Sequence, residues 1–152
     1  RNGGLKGPGP EPRFERGRTV TRIARYGAAV LEHFRSPRNV GVIEEPDAEA
    51  WVSNPECGDT VRLTLRIHGD VIQEARFKAL GCVAAIAAAS RLTELLTGRT
   101  LDQAAGLRDE AVAASLGGLP AAKIACSVLA EQAVAAALAD HRQRKQSGTG
   151  RA

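Results

Sequence analysis

Cys57, Cys82 and Cys126 are the only thiols of the chain, and each stands where a regular element begins or ends. Cys57 is followed by Gly58 and Asp59. Cys82 follows Gly81, where an alternating segment gives way to an Ala-rich run. Cys126 follows Leu119-Pro120-Ala121-Ala122-Lys123 and lies just before a helical pattern. Thiolates are soft ligands that suit zinc, copper(I) and iron–sulfur clusters. Asp59 adds an oxygen donor, so that Cys57, Asp59, Cys82 and Cys126 make a set of the size a tetrahedral zinc site needs. Cys82 and Cys126 each stand near an expected helix N-terminus, where the helix dipole favours thiolate, and Lys123 adds positive charge beside Cys126. The sequence has no Cys-x-x-Cys pair, which argues against a structural zinc finger. Ligands on three separate elements suit a site that opens and exchanges its contents. The plainer alternatives are that each cysteine is a small buried hydrophobe, Asp59 a turn residue and Lys123 simply exposed. His33, His68 and His141 are scattered and read as non-ligands.

The elements that must position these residues are legible in the pattern. Ile23 to Phe34 has helical spacing, with Ile23, Tyr26, Val30, Leu31 and Phe34 on or near one face, and Ser36-Pro37 ends it. Arg38 to Glu49 reads as loop, and Ala50 to Ser53 as a short strand. Val61 to Ile67 alternates apolar and polar residues, the mark of a strand with one wet face. Gly69-Asp70 signals a turn, and Val71 to Leu80 returns with Ala75, Phe77 and Ala79 on one face and Glu74, Arg76 and Lys78 on the other. Pairing through that turn brings Cys57 and Cys82 to the same open end, with Gly58 and Gly81 sparing side-chain bulk there. The approach of Cys126 to that pair is an inference of a weaker kind.

From Val83 the period becomes helical and Gly98 stops it. Thr100 and Gln103 match a capping box, Asp109 to Leu116 reads as a short helix, and Gly117-Gly118-Leu119-Pro120 breaks the chain. A last helix is expected from about Ser127 to Arg144, with Val128, Leu129, Val134, Ala135 and Leu138 facing inward. Strands come first and helices follow. The fold class is therefore α+β, a small three-stranded antiparallel sheet covered by helices.

The chain has 152 residues and a net charge of +4, enough length for one hydrophobic core. Residues 1–20 are rich in Gly, Pro and Arg and read as a disordered tail, 21–145 as the folded domain, and 146–152 as a second tail. No run of 18 uncharged apolar residues is present, so no membrane span is expected. An odd number of cysteines argues against a closed set of disulfides and places the protein in a reducing, cytoplasmic setting. With one Trp, one Tyr and three Phe, stacking platforms for single strands are hard to build, and the basic tails read as solvated rather than as a nucleic-acid surface.

Several motifs together resemble one family. They are Tyr26…Val30-Leu31-Glu32-His33-Phe34-Arg35-Ser36-Pro37-Arg38-Asn39-Val40-Gly41, then Cys57-Gly58-Asp59, Phe77-Lys78-Ala79-Leu80-Gly81-Cys82 with Ala85-Ile86-Ala87 and Ser90, and finally Lys123…Cys126-Ser127-Val128-Leu129-Ala130-Glu131. In order and spacing they are similar to the U-type iron–sulfur cluster assembly scaffolds, the IscU and NifU N-terminal family, over about Tyr26 to Arg142. The resemblance implies a carrier rather than a turnover enzyme. It would hold a transient [2Fe–2S] cluster, bind iron, and take zinc at the same place. Cys57, Cys82 and Cys126 match the cluster cysteines, Cys126 the persulfide acceptor, Asp59 the aspartate that keeps the cluster labile, and Lys123 a supporting lysine. The implied partners are a cysteine desulfurase, apo iron–sulfur proteins, an iron donor and a ferredoxin, and a bridged cluster leaves room for a homodimer.

Two departures from the family pattern stand out. The IscU type has His immediately before its third cysteine, where this chain has Ala125, so Asp59 or an exogenous group must complete the site. Leu119-Pro120-Ala121-Ala122-Lys123 replaces the Leu-Pro-Pro-Val-Lys segment read by a dedicated Hsp70 chaperone, which speaks against that specialised interaction. The SufU branch also lacks the His, but it carries an insertion that the interval from Cys82 to Cys126 does not accommodate. The alternative function is thus a zinc-dependent, SufU-like sulfurtransferase partner of a cysteine desulfurase. A decayed interaction module is the third reading, and the retention of three thiols argues against it.

Overall fold

The computed structural model describes residues 26–55 and 58–147, so Cys57 and the expected tail over residues 1–20 lie outside the described residues. The first helix, α1, spans Ala28–Arg35, with Gly27 as an extended N-cap and Ser36 as the C-cap. It starts later than the periodicity predicts, because Gly27 is a poor interior helix residue and holds the chain extended at φ −74, ψ 174. Its buried residues are Val30 and His33, while Phe34, expected inward, is exposed.

Strands β1 (Ala48–Ser53), β2 (Thr60–His68) and β3 (Val71–Leu80) form one antiparallel sheet in the order β1-β2-β3. The predicted hairpin through Gly69-Asp70 is present, and Thr60 pairs with Leu80 at its open end. The register shifts by one residue between Arg66 and Ile67: Arg66 faces Glu74, but Ile67 faces Ile72. Leu63, Leu65, Ala75 and Phe77 point into the core as the alternation predicts. β1 begins at Ala48, two residues before the expected start. The Asp47 carboxylate accepts from the Ile67 N–H at 2.8 Å and fastens the entry to β1. On the other face Trp51 is exposed and the Arg62 guanidinium lies 5.2 Å from its ring centroid.

The segment expected as plain loop after α1 adds a bridge to the sheet. Val40 lies parallel to Phe77, with the Phe77 N–H donating to Asn39 O at 3.0 Å and the Gly41 N–H to Phe77 O at 2.8 Å. Asn39 holds a left-handed φ of 60, a conformation Asn tolerates, and its side chain donates to Thr93 Oγ1.

Helix α2 (Val83–Leu96) has Cys82 as its N-cap. It is buried on nearly every side: Ala84, Ala85, Ala87, Ala88 and Ala89 let neighbouring elements come close, and Leu92 and Leu96 fill the core. The capping box predicted at Thr100 and Gln103 is formed in both directions and opens α3 (Leu101–Ala105). α4 covers Asp109–Ser115. A 3-10 turn over Ala121–Lys123 then feeds directly into α5 (Ile124–Gln146). The sequence pattern predicts that α5 starts at about Ser127. The Lys123 N–H donates to Pro120 O at 2.8 Å, so winding begins earlier and Cys126 lies inside the first turn rather than before it.

α5 packs on β1 and β2, α2 on β3, and α1 on α2. The inward face of α5 is Leu129, Ala130, Ala133, Val134, Ala137 and Leu138, whereas Ala135, expected inward, is exposed. The segment Ala121–Gln146 is long and apolar enough to cross a membrane by composition, yet it is a core helix laid against the sheet.

His33 clamps α1 to α2. Its Nδ1 lies 2.7 Å from Ser90 Oγ, and its Nε2 lies 3.4 Å from Glu94 Oε1. Ser90 Oγ also accepts from the Arg38 N–H, so the consistent assignment has the Ser90 hydroxyl donating to a neutral ring. Burial holds the imidazole pKa below its ordinary 6.5, overriding the nearby Glu94 carboxylate. The unfolded chain therefore binds this proton more readily than the folded one. The stabilisation from a neutral His33 is complete above pH 6.5 and falls away as the pH drops below it. His141 is lowered by burial too and adds the same sign. We expect the urea midpoint to fall between pH 7.5 and 5.5, and His33→Gln to make that fall shallower. An unchanged slope in the variant would remove His33 from the account.

Candidate metal centre

The open end of the hairpin and the first turn of α5 converge on one point. Asp59 lies at the entry to β2, Cys82 caps α2 and Cys126 sits in α5. Cys82 Sγ is 3.6 Å from Cys126 Sγ and 3.7 Å from Asp59 Oδ2, and Cys126 Sγ is 3.8 Å from the same oxygen. A tetrahedral ion with metal–sulfur and metal–oxygen bonds of about 2.3 and 2.0 Å has ligand–ligand edges of roughly 3.5–3.8 Å. Three donors thus already stand at the edges of a tetrahedral coordination shell. Among the described residues this is the only cluster of three or more His, Cys, Asp or Glu side chains with that closeness.

Each side chain is held by the local fold. Gly58 takes φ +77, a left-handed conformation suited to glycine, at the step into Asp59. The Asn54 N–H donates to Asp59 O and the Gly58 N–H to Asn54 O, closing the link between β1 and β2. Asp59 and Cys126 are each only 5% exposed, while Cys82 is half-buried. Ala84 and Ala85 pack beside Cys126, with Tyr26 and Leu119 against them. These two residues line the thiols from opposite ends of the chain, and no local sequence signal points to that.

The two thiols divide one proton between them. Cys82 is lowered to about 6, chiefly because its thiolate accepts a hydrogen bond from Cys126, with help from the Ala85 N–H and the Lys123 charge. Cys126 is raised, because it donates that bond, is buried, and would otherwise place a second anion beside the first. Helix-end reasoning expects thiolate character at both; the pair shows it at Cys82. Lys123, half-exposed in the 3-10 turn, favours the anionic form of both. A cation among the three donors would discharge the remaining proton, because coordinated thiols are deprotonated.

Of the residues singled out by sequence, the structure brings together Asp59, Cys82 and Cys126, with Lys123 beside them. Cys57, two positions before Asp59, lies outside the described residues. Ala125 is exposed next to Cys126 and offers no side-chain donor. His33 is accounted for by the clamp on α2.

The family model described as NifU-like N terminal domain matches residues 25–148. The chain belongs to this NifU-like family. An iron–sulfur cluster assembly scaffold protein, IscU 1 of Archaeoglobus fulgidus, is 41% identical over 116 residues, covering 76% of this chain and 76% of the relative. IscU of Escherichia coli K12, also described as an iron–sulfur cluster assembly scaffold protein, is 38% identical over 126 residues, covering 80% of this chain and 98% of its own. The fold agrees with that of a NifU-like N-terminal protein from Brucella abortus, at TM-score 0.66 and 22% identity over 79% of this chain and 96% of that one. A SUF-system protein from Fervidobacterium islandicum gives 0.64 at 20% identity, over 76% and 97% of the two chains. At these identities the two structures speak for the fold alone. The α+β NifU-like architecture expected from the motifs is therefore the one this chain adopts.

Proposed function

We propose that this NifU-like protein is a scaffold on which a transient [2Fe–2S] cluster is built and from which it is handed to apo-proteins. The observation that carries this reading is the convergence of Asp59 Oδ2, Cys82 Sγ and Cys126 Sγ at 3.6–3.8 Å. Membership of a family whose relatives are iron–sulfur cluster assembly scaffolds supports it. The cluster is cargo rather than a resident cofactor. Cys57 supplies the further thiolate, and 21–145 is the working domain.

Sulfur arrives as the persulfide of a cysteine desulfurase. Cys126 attacks the terminal sulfur, a new Cys126 S–S bond forms, the desulfurase S–S bond breaks, and its thiolate leaves. Cys126 is the protonated thiol of the pair, and the Cys82 thiolate, 3.6 Å away, is placed to take its proton as the attack proceeds. Lys123 steadies the negative charge. Two electrons, delivered by a ferredoxin-class donor, then reduce the sulfane sulfur to sulfide, and an iron donor completes the cluster. A carboxylate ligand and an exposed Ala125 leave that side of the site weakly closed, which suits release to recipients in the cytoplasm.

The second reading, a zinc-dependent sulfur relay with the same desulfurase, is favoured by one observation: the three donor edges fit a single tetrahedral ion. Anaerobic reconstitution with iron, cysteine and a cysteine desulfurase separates the two. A [2Fe–2S] spectrum that moves to an apo-ferredoxin is the expected result. Firmly held zinc, no cluster, and stimulated desulfurase turnover would overturn it in favour of the relay.

A further inference from the structure

Gly81 is exposed, and its φ lies outside the left-handed region, so neither burial nor backbone conformation calls for glycine there. The space beside it does. A Cβ at Gly81 would lie 2.6 Å from Asp59 Oδ1, 2.8 Å from Asp59 Cγ and 3.1 Å from Ala85 Cβ. The first two are closer than real Cβ contacts, and the carboxylate cannot easily give way, since Asp59 is only 5% exposed. Thr60 pairs with Leu80, so the next residues outward on the two strands are Asp59 and Gly81. The carboxylate occupies the volume where a side chain on the neighbouring strand would stand. From there its Oδ2 reaches both thiols, at 3.7 and 3.8 Å.

We propose that Gly81 is a positioning residue for the metal centre. Its missing side chain is the seat of the Asp59 carboxylate, and it acts on bound metal only through that carboxylate. The inference rests on Asp59 being a ligand, as read above. It makes a sharper statement than ligand identity: one methyl group on a residue that donates nothing should have the consequences of removing the aspartate itself.

The test is a double-mutant cycle on the purified full chain with Gly81→Ala, Asp59→Ala and the pair together, read by Co2+ titration and by urea unfolding of the metal-free protein. Gly81→Ala should weaken Co2+ binding by about 10- to 100-fold, the range for disturbing the groups that orient a ligand. Its Co2+ spectrum should lose oxygen ligation as that of Asp59→Ala does. In the pair, the second change should add no further loss of affinity. Unfolding guards against a variant that simply fails to fold. If the methyl group collides with the carboxylate, the destabilisation by Gly81→Ala should disappear once Asp59 is alanine.

Wild-type Co2+ binding by Gly81→Ala would overturn the proposal, as would affinity losses that multiply in the pair. So would a destabilisation that persists without Asp59, which would put the collision at Ala85. None of these readings involves a cluster, so they leave the scaffold assignment standing, and failed cluster assembly would leave the cycle intact.

Discussion

Cys82→Ser and Cys126→Ser will each abolish stable cluster binding, and Asp59→Ala will do the opposite and slow release. On the proposed scaffold reading the two thiols supply the soft ligands, and a serine hydroxyl at neutral pH replaces neither their charge nor their softness. For zinc, the loss at either cysteine should be at least about 100-fold, beyond what disturbance of a supporting group produces. Cys57→Ser should behave in the same way. Asp59 differs because a carboxylate is the hard, weakly held member of the set. Its removal costs a single ion one of few donors, hence the weaker Co2+ binding expected above, but leaves a cluster its thiolates and removes the anion that works against those of Cys82 and Cys126. Visible absorption after anaerobic reconstitution, followed during transfer to an apo-ferredoxin, reads both effects. A Cys126→Ser protein that keeps its cluster would take Cys126 out of the ligand set. An Asp59→Ala protein that binds no metal would make the carboxylate an indispensable ligand.

Leu92→Ala should cost about 2–5 kcal/mol of folding stability, the usual range for emptying a fully buried leucine site. The side chain is 0% exposed and stands among the core residues of α2. Set against a total of about 5–15 kcal/mol for a domain, that loss removes a large share of the stability. The effect should reach the metal centre as well, because Cys82 is the N-cap of the same helix. A helix of 14 residues depends on its packing rather than on its own propensity. Urea unfolding gives the first quantity and zinc competition the second. A variant as stable as the parent would mean that neighbouring side chains collapse into the vacated space.

The hairpin was readable because alternation and a turn signal are local, and one register then carries Asp59 and Cys82 to the same end. The capping box at Thr100 was readable for the same reason. The arrival of Cys126 was not, because it depends on how α5 folds back over β1 and β2. The phase of α5 misled at Ala135: where alanine fills both faces, the helical period marks no clear inner side. In the sequence His33 is one of three scattered histidines, a non-ligand on a helix, and only the packing of α1 on α2 shows it buried against Ser90. Gly81 was read as a place where backbone comes close, whereas it is a side chain, that of Asp59, that takes the room.

The one-residue slip at Arg66 and Ile67 leaves Gln73 as the extra residue of the hairpin. Strand faces alternate, so the slip divides the ribbon into two lengths of opposite parity. Near the tip, His68 and Val71 pair in the parity that the turn dictates. Past the slip every partner is advanced by one. Carried to the thiol end without that advance, the ladder would set Asp59 opposite Leu80, whose side chain fills the space the carboxylate needs. With it, Asp59 meets Gly81. That Gln73 stays unpaired near the tip, far from any sulfur, thus decides at the other end whether an oxygen can stand beside the thiols. Drawing Gln73 into the ladder would rewrite the centre without touching it, whereas deleting Gln73 would remove the slip and keep Asp59 opposite Gly81.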